Sequence, residues 1–365
     1  MTLPPSTQHP LRWAVLGTGF IANKVINVGM RRAGHVLQAV GSRSIDKAQE
    51  FADRNGFKTA YGSYQEAIDD PEVDAVYIAL PSVFHEEWAI KCAKAKKHVL
   101  CEKPVAPTTA QVKNIIQTCK DNNVVFLDGT FFKHHPRLAA LRQLVNSGEL
   151  GKVNSVNSHF SFLMSADVST SADAALKQIR VNPAVEPTGV LGDMAWYTVR
   201  FILTAYNYEL PTSVSCTVTR KNEFTGAAEQ VIGHLLFPDS RNAIFEASFA
   251  HVSNQRSCIT GDKGAVALDD TFLTSSFYPI TQESALAYEA PASDSFTVTV
   301  KRGEWTKREI ETGGRLQEEW MAKDFEECVA GRKKWEQWAD ETIVIHTVLD
   351  ALWASAQQSG ASVSL

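Results

Sequence analysis

A glycine turn near the start of the chain constrains the fold more than any other feature. Gly17-Thr18-Gly19-Phe20-Ile21-Ala22 follows the apolar run Trp13-Ala14-Val15-Leu16 and opens a segment, Phe20 to Arg32, with helical spacing. The first glycine of such a GxGxxA turn permits the tight bend, and the second lets backbone approach a diphosphate. Alanine at the third place still allows close helix–strand packing. The helix start then presents free N–H groups to an anion. A lone GxGxxA is often only a tight turn, but between a strand and a helix it predicts a dinucleotide site. Gly17, Gly19, Phe20 and Ile21 are its candidate contacts.

Downstream the pattern repeats as strand and helix. Strands are expected at Val36–Gly41, Lys58–Tyr61, Asp74–Leu80, His98–Cys101 and Val124–Asp128. Helices are expected at Ile45–Asn55, Ser63–Ile68, His85–Ala95 and Thr109–Asn122. Alternation at this spacing means βαβ units with right-handed crossovers, hence an open, doubly wound parallel sheet. Residues 11–130 are read as this Rossmann domain, behind a disordered tail at 1–10. From 131 to 365 the pattern changes. After a helix at Pro136–Ser147 and a strand at Lys152–Phe162, a polar surface excursion spans Ser165–Lys177. A strong apolar helical stripe at Gly192–Ala205 follows, then a series of strands. These run at Thr212–Arg220, Gln230–Phe237, Ala243–Ala250, Gln255–Thr260, Ala265–Leu268 and Ser295–Lys301. Helices at Arg315–Ala330 and Glu341–Gln358 close the chain. Successive strands with few helices suit a large, mostly antiparallel open sheet in a second α/β domain.

Composition excludes several classes. A formal net charge of −5 argues against a nucleic-acid footprint, which needs a basic face. No run approaches the ~18–20 apolar residues of a membrane span. The first ten residues lack the apolar segment of a secretory signal. The six cysteines form no CxxC pair, so they read as buried small hydrophobes in a reducing, cytoplasmic setting, and no metal site is expected.

Further motifs carry candidate chemistry. The second strand should end on the residue that reads the adenosine ribose, where an NAD site usually carries Asp or Glu. Val40-Gly41-Ser42-Arg43-Ser44 has no carboxylate there. Ser42 and Arg43 suit a 2′-phosphate, favouring NADP over NAD, although a surface arginine on a loop would look the same. Glu102-Lys103-Pro104 closes a sheet strand at the edge where open α/β sheets bind ligands. Asp193 and Tyr197 lie four apart, one helical turn, on a shared face. Taken alone, a carboxylate at a helix start is most often just a cap and a tyrosine one turn on is usually core packing. His134-His135 has no carboxylate or cysteine nearby in sequence and reads as structural or pocket-lining.

Together these pieces resemble the Gfo/Idh/MocA oxidoreductase family (glucose-fructose oxidoreductase, inositol dehydrogenase, rhizopine catabolism) over nearly the whole chain. The residues that carry the resemblance are GTGFIA at 17–22, PSVFH at 81–85, EKP at 102–104, GVLGDMAWY at 189–197 and GDKG at 261–264. Ile179-Arg180-Val181-Asn182-Pro183 is similar to the branch with dimeric dihydrodiol dehydrogenase and NADP-linked xylose dehydrogenases. The resemblance implies an oxidoreductase that moves a hydride between NADP or NAD and a sugar, diol or related carbonyl, working as a homodimer or homotetramer. It implies that Lys103, Asp193 and Tyr197 are catalytic and that Arg180 lines the substrate pocket. Leu80, Pro81, His85 and Glu102 would join the cofactor contacts. A nearby ammonium favours the phenolate of a tyrosine, so Lys103 is expected to lower the Tyr197 pKa. Val190, Leu191, Gly192 and Trp196 depart from the family pattern and bear on pocket size. The same fold also serves dinucleotide-sensing regulators and scaffolds that do not turn the cofactor over. Such proteins would be expected to lose one of the three residues, and reduction of a tetrapyrrole or nitrogen-containing ring is a further possibility.

Overall fold

The computed structural model describes residues 10–273, 293–300 and 303–365. The tail expected at 1–10 lies outside the described residues except for Pro10, and so does Lys301, the expected end of one strand.

The first sheet is built from β1 (Arg12–Leu16), β2 (Val36–Gly41), β3 (Thr59–Tyr61), β4 (Ala75–Ile78), β5 (His98–Cys101) and β6 (Phe126–Asp128). All are parallel, in the order β3-β2-β1-β4-β5-β6. The β1 run Trp13 to Leu16 is wholly buried, as a parallel strand covered on both faces must be. The intervening helices are α1 (Phe20–Lys24), α2 (Ile45–Asn55), α3 (Tyr64–Asp69), α4 (His85–Lys94) and α5 (Thr109–Asp121). Ser44, Ser63 and Thr108 cap α2, α3 and α5 with their hydroxyls. Strand order reverses between β1 and β4, and the crevice of a doubly wound sheet opens there.

The second sheet follows α6 (Pro136–Asn146). It comprises β7 (Val153–Ser161), β8 (Ser213–Lys221), β9 (Ala228–Leu236), β10 (Asn242–Ser248), β11 (Ser257–Gly261), β12 (Gly264–Leu268), β13 (Ser293–Val300), β14 (Thr306–Glu311) and β15 (Val363–Ser364). Their order is β14-β13-β12-β11-β7-β10-β9-β8-β15, antiparallel except where β10 pairs with β7. Between β7 and β8 lie α7 (Ala172–Lys177), α8 (Val190–Asp193) and α9 (Ala195–Ala205), and the chain closes with α10 (Gln317–Val329) and α11 (Glu336–Gln357). α9 packs on β7 and β10, and α11 on β8. Among the described residues the other face of this sheet is uncovered and exposes Ile232, Leu236 and Ile244.

Three sequence expectations change. The helix from Phe20 to Arg32 is α-helical only to Lys24 and continues as a π-helix over Val25–Met30. The wide segment lies against α10, so close that a Cβ on Gly29 would sit 2.8 Å from the Glu318 carbonyl oxygen. The stripe at Gly192–Ala205 is two helices joined at Met194. The excursion at Ser165–Lys177 contains a short 3-10 turn and α7. Two strands, β14 and β15, had no sequence signal. β14 is mostly exposed and charged, and β15 is two residues long.

Candidate functional site

The turns at the C-terminal ends of β1, β2, β4 and β5 line the crevice. Gly17 has φ +101°, and a Cβ there would lie 2.7 Å from the Ala79 carbonyl oxygen, so this corner admits only glycine. Gly19 is the opposite case. A Cβ there would meet nothing within 4 Å, although the residue directly precedes α1 and has no side-chain cap. That open approach to the unpaired N–H groups of a first helical turn fits a diphosphate, so the residues present suit a dinucleotide. Phe20 is 56% exposed at the mouth of the turn and Ile21 is partly buried. Ser42 is buried, its Oγ accepting from the Ser44 N–H at 3.4 Å. Arg43 is exposed beside the Tyr64 hydroxyl.

His85 and Glu102 lie behind this surface, at 1% and 4% exposure. His85 Nε2 is 2.7 Å from the Leu80 carbonyl oxygen, and its Nδ1 is 3.1 Å from that of Pro104. The imidazole thus ties the Leu80-Pro81 turn to the turn that carries Lys103. Glu102 accepts the Tyr77 hydroxyl at 2.5 Å and the Lys103 N–H at 3.2 Å. Their contribution is to fix the two turns.

Lys103 meets the second sheet's helices at Asp193. Its Nζ donates to Asp193 Oδ1 and, at 3.1 Å, to the Asp193 carbonyl oxygen. Arg180 Nε donates to the other carboxylate oxygen at 2.8 Å. The Lys103 ammonium also stands 5.0 Å from the centre of the Tyr197 ring. The break at Met194 lies at these contacts. In one continuous helix the Asp193 carbonyl would accept the Tyr197 N–H. Here Lys103 takes that carbonyl and the Tyr197 N–H turns to Met194, at 3.0 Å. Four side chains from three distant stretches therefore converge: Lys103, Arg180, Asp193 and Tyr197.

Burial pushes the Asp193 carboxyl up, but the Lys103 and Arg180 charges outweigh it and hold the pKa at about 2. Asp193 is an anion clamped between two cations, leaving one net positive charge among the three groups. Tyr197 corrects an expectation. Burial and the negative charges of Glu102 and Asp193 raise its pKa well above 10, with Arg180 opposing. Asp193 engages the Lys103 charge, so the ammonium does not produce a phenolate. Phe131, Phe132, Phe160 and Phe272 surround the ring at centroid distances of 6.3, 5.6, 5.3 and 5.8 Å. Trp196 is fully buried with its indole N–H on Thr130 Oγ1 at 2.7 Å, and Val190, Leu191 and Gly192 are buried beneath α9. Trp196 therefore bears on the packing of α9, not on pocket size.

Sequence reasoning missed Glu186. Its carboxylate accepts the Ser82 N–H at 2.8 Å and the Ser82 hydroxyl at 2.6 Å, bridging the turn after β4 to the segment before α8. Burial raises its pKa to about 7, against the Ser82 hydrogen bonds. A lone Glu ahead of Pro187 carries no signal in sequence. The histidine pair is buried, in keeping with a structural or pocket-lining role, and each ring meets a carboxylate from far along the chain. His134 Nδ1 lies 2.7 Å from Asp324, and His135 Nδ1 lies 3.9 Å from Asp294. Five of the six free cysteines are buried, and Cys258 is half-buried.

Residues 11–130 match the model of an oxidoreductase family with an NAD-binding Rossmann fold, and residues 138–267 match the GFO/IDH/MocA C-terminal domain. An uncharacterised oxidoreductase of Rhizobium meliloti is 32% identical over 264 residues, 72% of this chain and 75% of its own length. The chain belongs to the Gfo/Idh/MocA oxidoreductase family. Other relatives carry named activities. D-xylose 1-dehydrogenase (NADP(+)) 2 of Haloferax volcanii is 28% identical over 97% of this chain and 100% of its own length. Trans-1,2-dihydrobenzene-1,2-diol dehydrogenase of Xenopus laevis is 27% identical over 70% of this chain and 74% of its own. Among solved structures, aldose-aldose oxidoreductase from Caulobacter crescentus superposes with a TM-score of 0.83 at 23% identity, covering 98% of this chain and 100% of that one. Among the described residues no helix is long and apolar enough to cross a membrane.

Proposed function

We propose that this protein is a cytoplasmic dehydrogenase or reductase that prefers NADP over NAD and acts on a sugar, diol or related carbonyl. In this reading residues 11–130 bind the cofactor, while 131–365 hold the substrate and form a homodimer or homotetramer through the open sheet face. The observation that carries it is the convergence of Lys103, Arg180, Asp193 and Tyr197 beside the β1/β4 crevice.

The bound nicotinamide supplies or takes up the hydride at the carbinol carbon. The protein's own groups manage the oxygen. Asp193 fixes the Lys103 ammonium and the Arg180 guanidinium, and their residual positive charge stabilises an alkoxide-like oxygen as it develops. The Tyr197 phenol keeps its proton. In reduction it donates that proton to the carbonyl oxygen, and the phenolate left behind regains a proton from solvent once product departs. In oxidation the tyrosine must first release its proton to solvent, and the phenolate then takes the substrate hydroxyl proton. The aromatic rings around Tyr197 exclude water from this exchange. Arg180 offers its remaining donors to substrate hydroxyls.

The test is nicotinamide absorbance over a panel of aldoses, vicinal diols and dicarbonyls, with wild type, Lys103→Met and Tyr197→Phe. Each substitution is expected to lower kcat by about 100- to 10,000-fold with little change in cofactor binding. Near wild-type turnover in both variants removes the mechanism. In the same assay Arg43→Ala is expected to lower kcat/KM for NADP and leave that for NAD unchanged, and equal loss with both would refute the 2′-phosphate role.

A further inference from the structure

On the open face of the second sheet three side chains converge that the oxidoreductase site does not use. His159 on β7 and Glu246 on β10 are direct partners in the parallel register, and His251 follows β10. Phe160, the neighbour of His159, packs on Tyr197, so His159 points to the reverse face of the strand that backs the site.

The geometry is that of a ligand set. His159 Nδ1 is 3.5 Å from Glu246 Oε2, and His251 Nδ1 is 3.4 Å from Glu246 Oε1. The donor atoms of all three residues lie within 4.8 Å of one another. Two ligands each about 2.1 Å from one tetrahedral ion are about 3.4 Å apart. The surrounding hydrogen bonds also orient these atoms. The Ser161 hydroxyl spends its single hydrogen on the Val252 carbonyl at 2.8 Å. Its oxygen, 3.2 Å from His159 Nε2, must therefore accept from that nitrogen. With Nε2 carrying the hydrogen, a neutral His159 ring turns a lone pair at Nδ1 toward the Glu246 carboxylate. Gln230 Nε2 holds the carboxylate in turn, donating to Oε1 at 2.8 Å. The loop that brings in His251 is pinned by paired backbone bonds between Ser161 and Asn254. Supporting contacts of this kind orient the ligands in protein metal sites.

We propose that His159, Glu246 and His251 bind one divalent transition-metal ion of the zinc class, with water completing the coordination. Two imidazoles and a carboxylate select such an ion over magnesium or calcium, which take oxygen ligands. The ion would fasten the loop after β10 to the sheet.

Tag-free, full-length protein dialysed against EDTA is titrated calorimetrically with Zn²⁺ and followed by absorbance with Co²⁺. One ion per chain and visible bands of tetrahedral Co²⁺ are expected. His251→Ala, on an exposed position, and Glu246→Gln should each weaken Zn²⁺ binding by about tenfold or more, with melting in EDTA unchanged. Absence of saturable heat at millimolar Zn²⁺, or wild-type affinity in His251→Ala, overturns the proposal.

Discussion

Glu186 and Asp193 are two carboxyls of one site with opposite titration behaviour, and their surroundings explain why. Asp193 faces Lys103 and Arg180 and sits at about 2, whereas Glu186 is half-buried against neutral Ser82 donors with the Asp193 charge nearby, and sits at about 7. Glu186 therefore holds its proton more tightly in the folded than in the unfolded chain. Its contribution to stability is full below about pH 4.5 and is lost as pH rises through about 7. Asp193 runs the other way, contributing above pH 3.8 and losing that contribution as pH falls through about 2. Between pH 5 and 7 only Glu186 titrates of these two, so Glu186→Gln is expected to flatten the fall in melting temperature across that window. Identical slopes in the two proteins would show that Glu186 does not titrate there. The candidate set Lys103, Asp193, Tyr197 and Arg180 was legible in sequence because it falls in recognisable motifs. Glu186 was not, because its meaning comes from a partner 104 positions away.

At the scale of elements, the glycine turn separates a folding requirement from a binding one. Gly17→Ala places a Cβ 2.7 Å from a fixed carbonyl at φ +101°, so it is expected to cost about 1–3 kcal/mol of stability. Gly19→Ala has room in the protein itself, so melting should be unchanged while NADP binding weakens by at least about tenfold, the equivalent of about 1.4 kcal/mol. Calorimetric melting and cofactor titration of both variants check this. Unimpaired NADP binding in Gly19→Ala would mean that the diphosphate lies elsewhere. The joined helices α8 and α9 show the limit of reading elements by period. The apolar stripe runs on through Met194 and signals one helix, but the ladder breaks there: the Asp193 carbonyl accepts Lys103 Nζ and the Tyr197 N–H bonds the Met194 carbonyl instead.

The two sheets become one molecule through buried polar contacts as well as apolar packing. Asp128, at the end of β6, accepts Lys133 Nζ at 2.7 Å, Arg200 Nη2 from α9 at 2.9 Å and Thr342 Oγ1 from α11 at 2.5 Å, all buried. Burial raises the carboxyl, but Arg200 and Lys133 bring it well below the usual range. Asp128→Asn leaves two buried cations without their anion, and is expected to cost about 3–5 kcal/mol in denaturant unfolding. A loss below about 1 kcal/mol would show that the network adds little to stability. The open face of the second sheet carries Ile232, Leu236 and Ile244 at 37%, 50% and 40% exposure, an apolar cluster suited to a second copy. Leu236→Glu with Ile244→Glu is expected to yield monomers by light scattering, and an unchanged mass would place the interface elsewhere.

The sequence by itself determined the class of fold, because hydrophobic period and glycine conformation are local properties carried by neighbouring residues; the candidate site residues were legible through their motifs and the family resemblance. Boundaries of the first sheet's strands and helices came within a few positions for the same reason. Only the tertiary structure buries the Tyr197 phenol so that its pKa rises well above 10, stands His85 and Glu102 behind the crevice, and raises the Glu186 carboxyl to about 7. It alone brought His159 to Glu246. These are consequences of burial and of charge pairing between segments far apart in the chain, and electrostatic energies follow distances in space rather than positions in sequence.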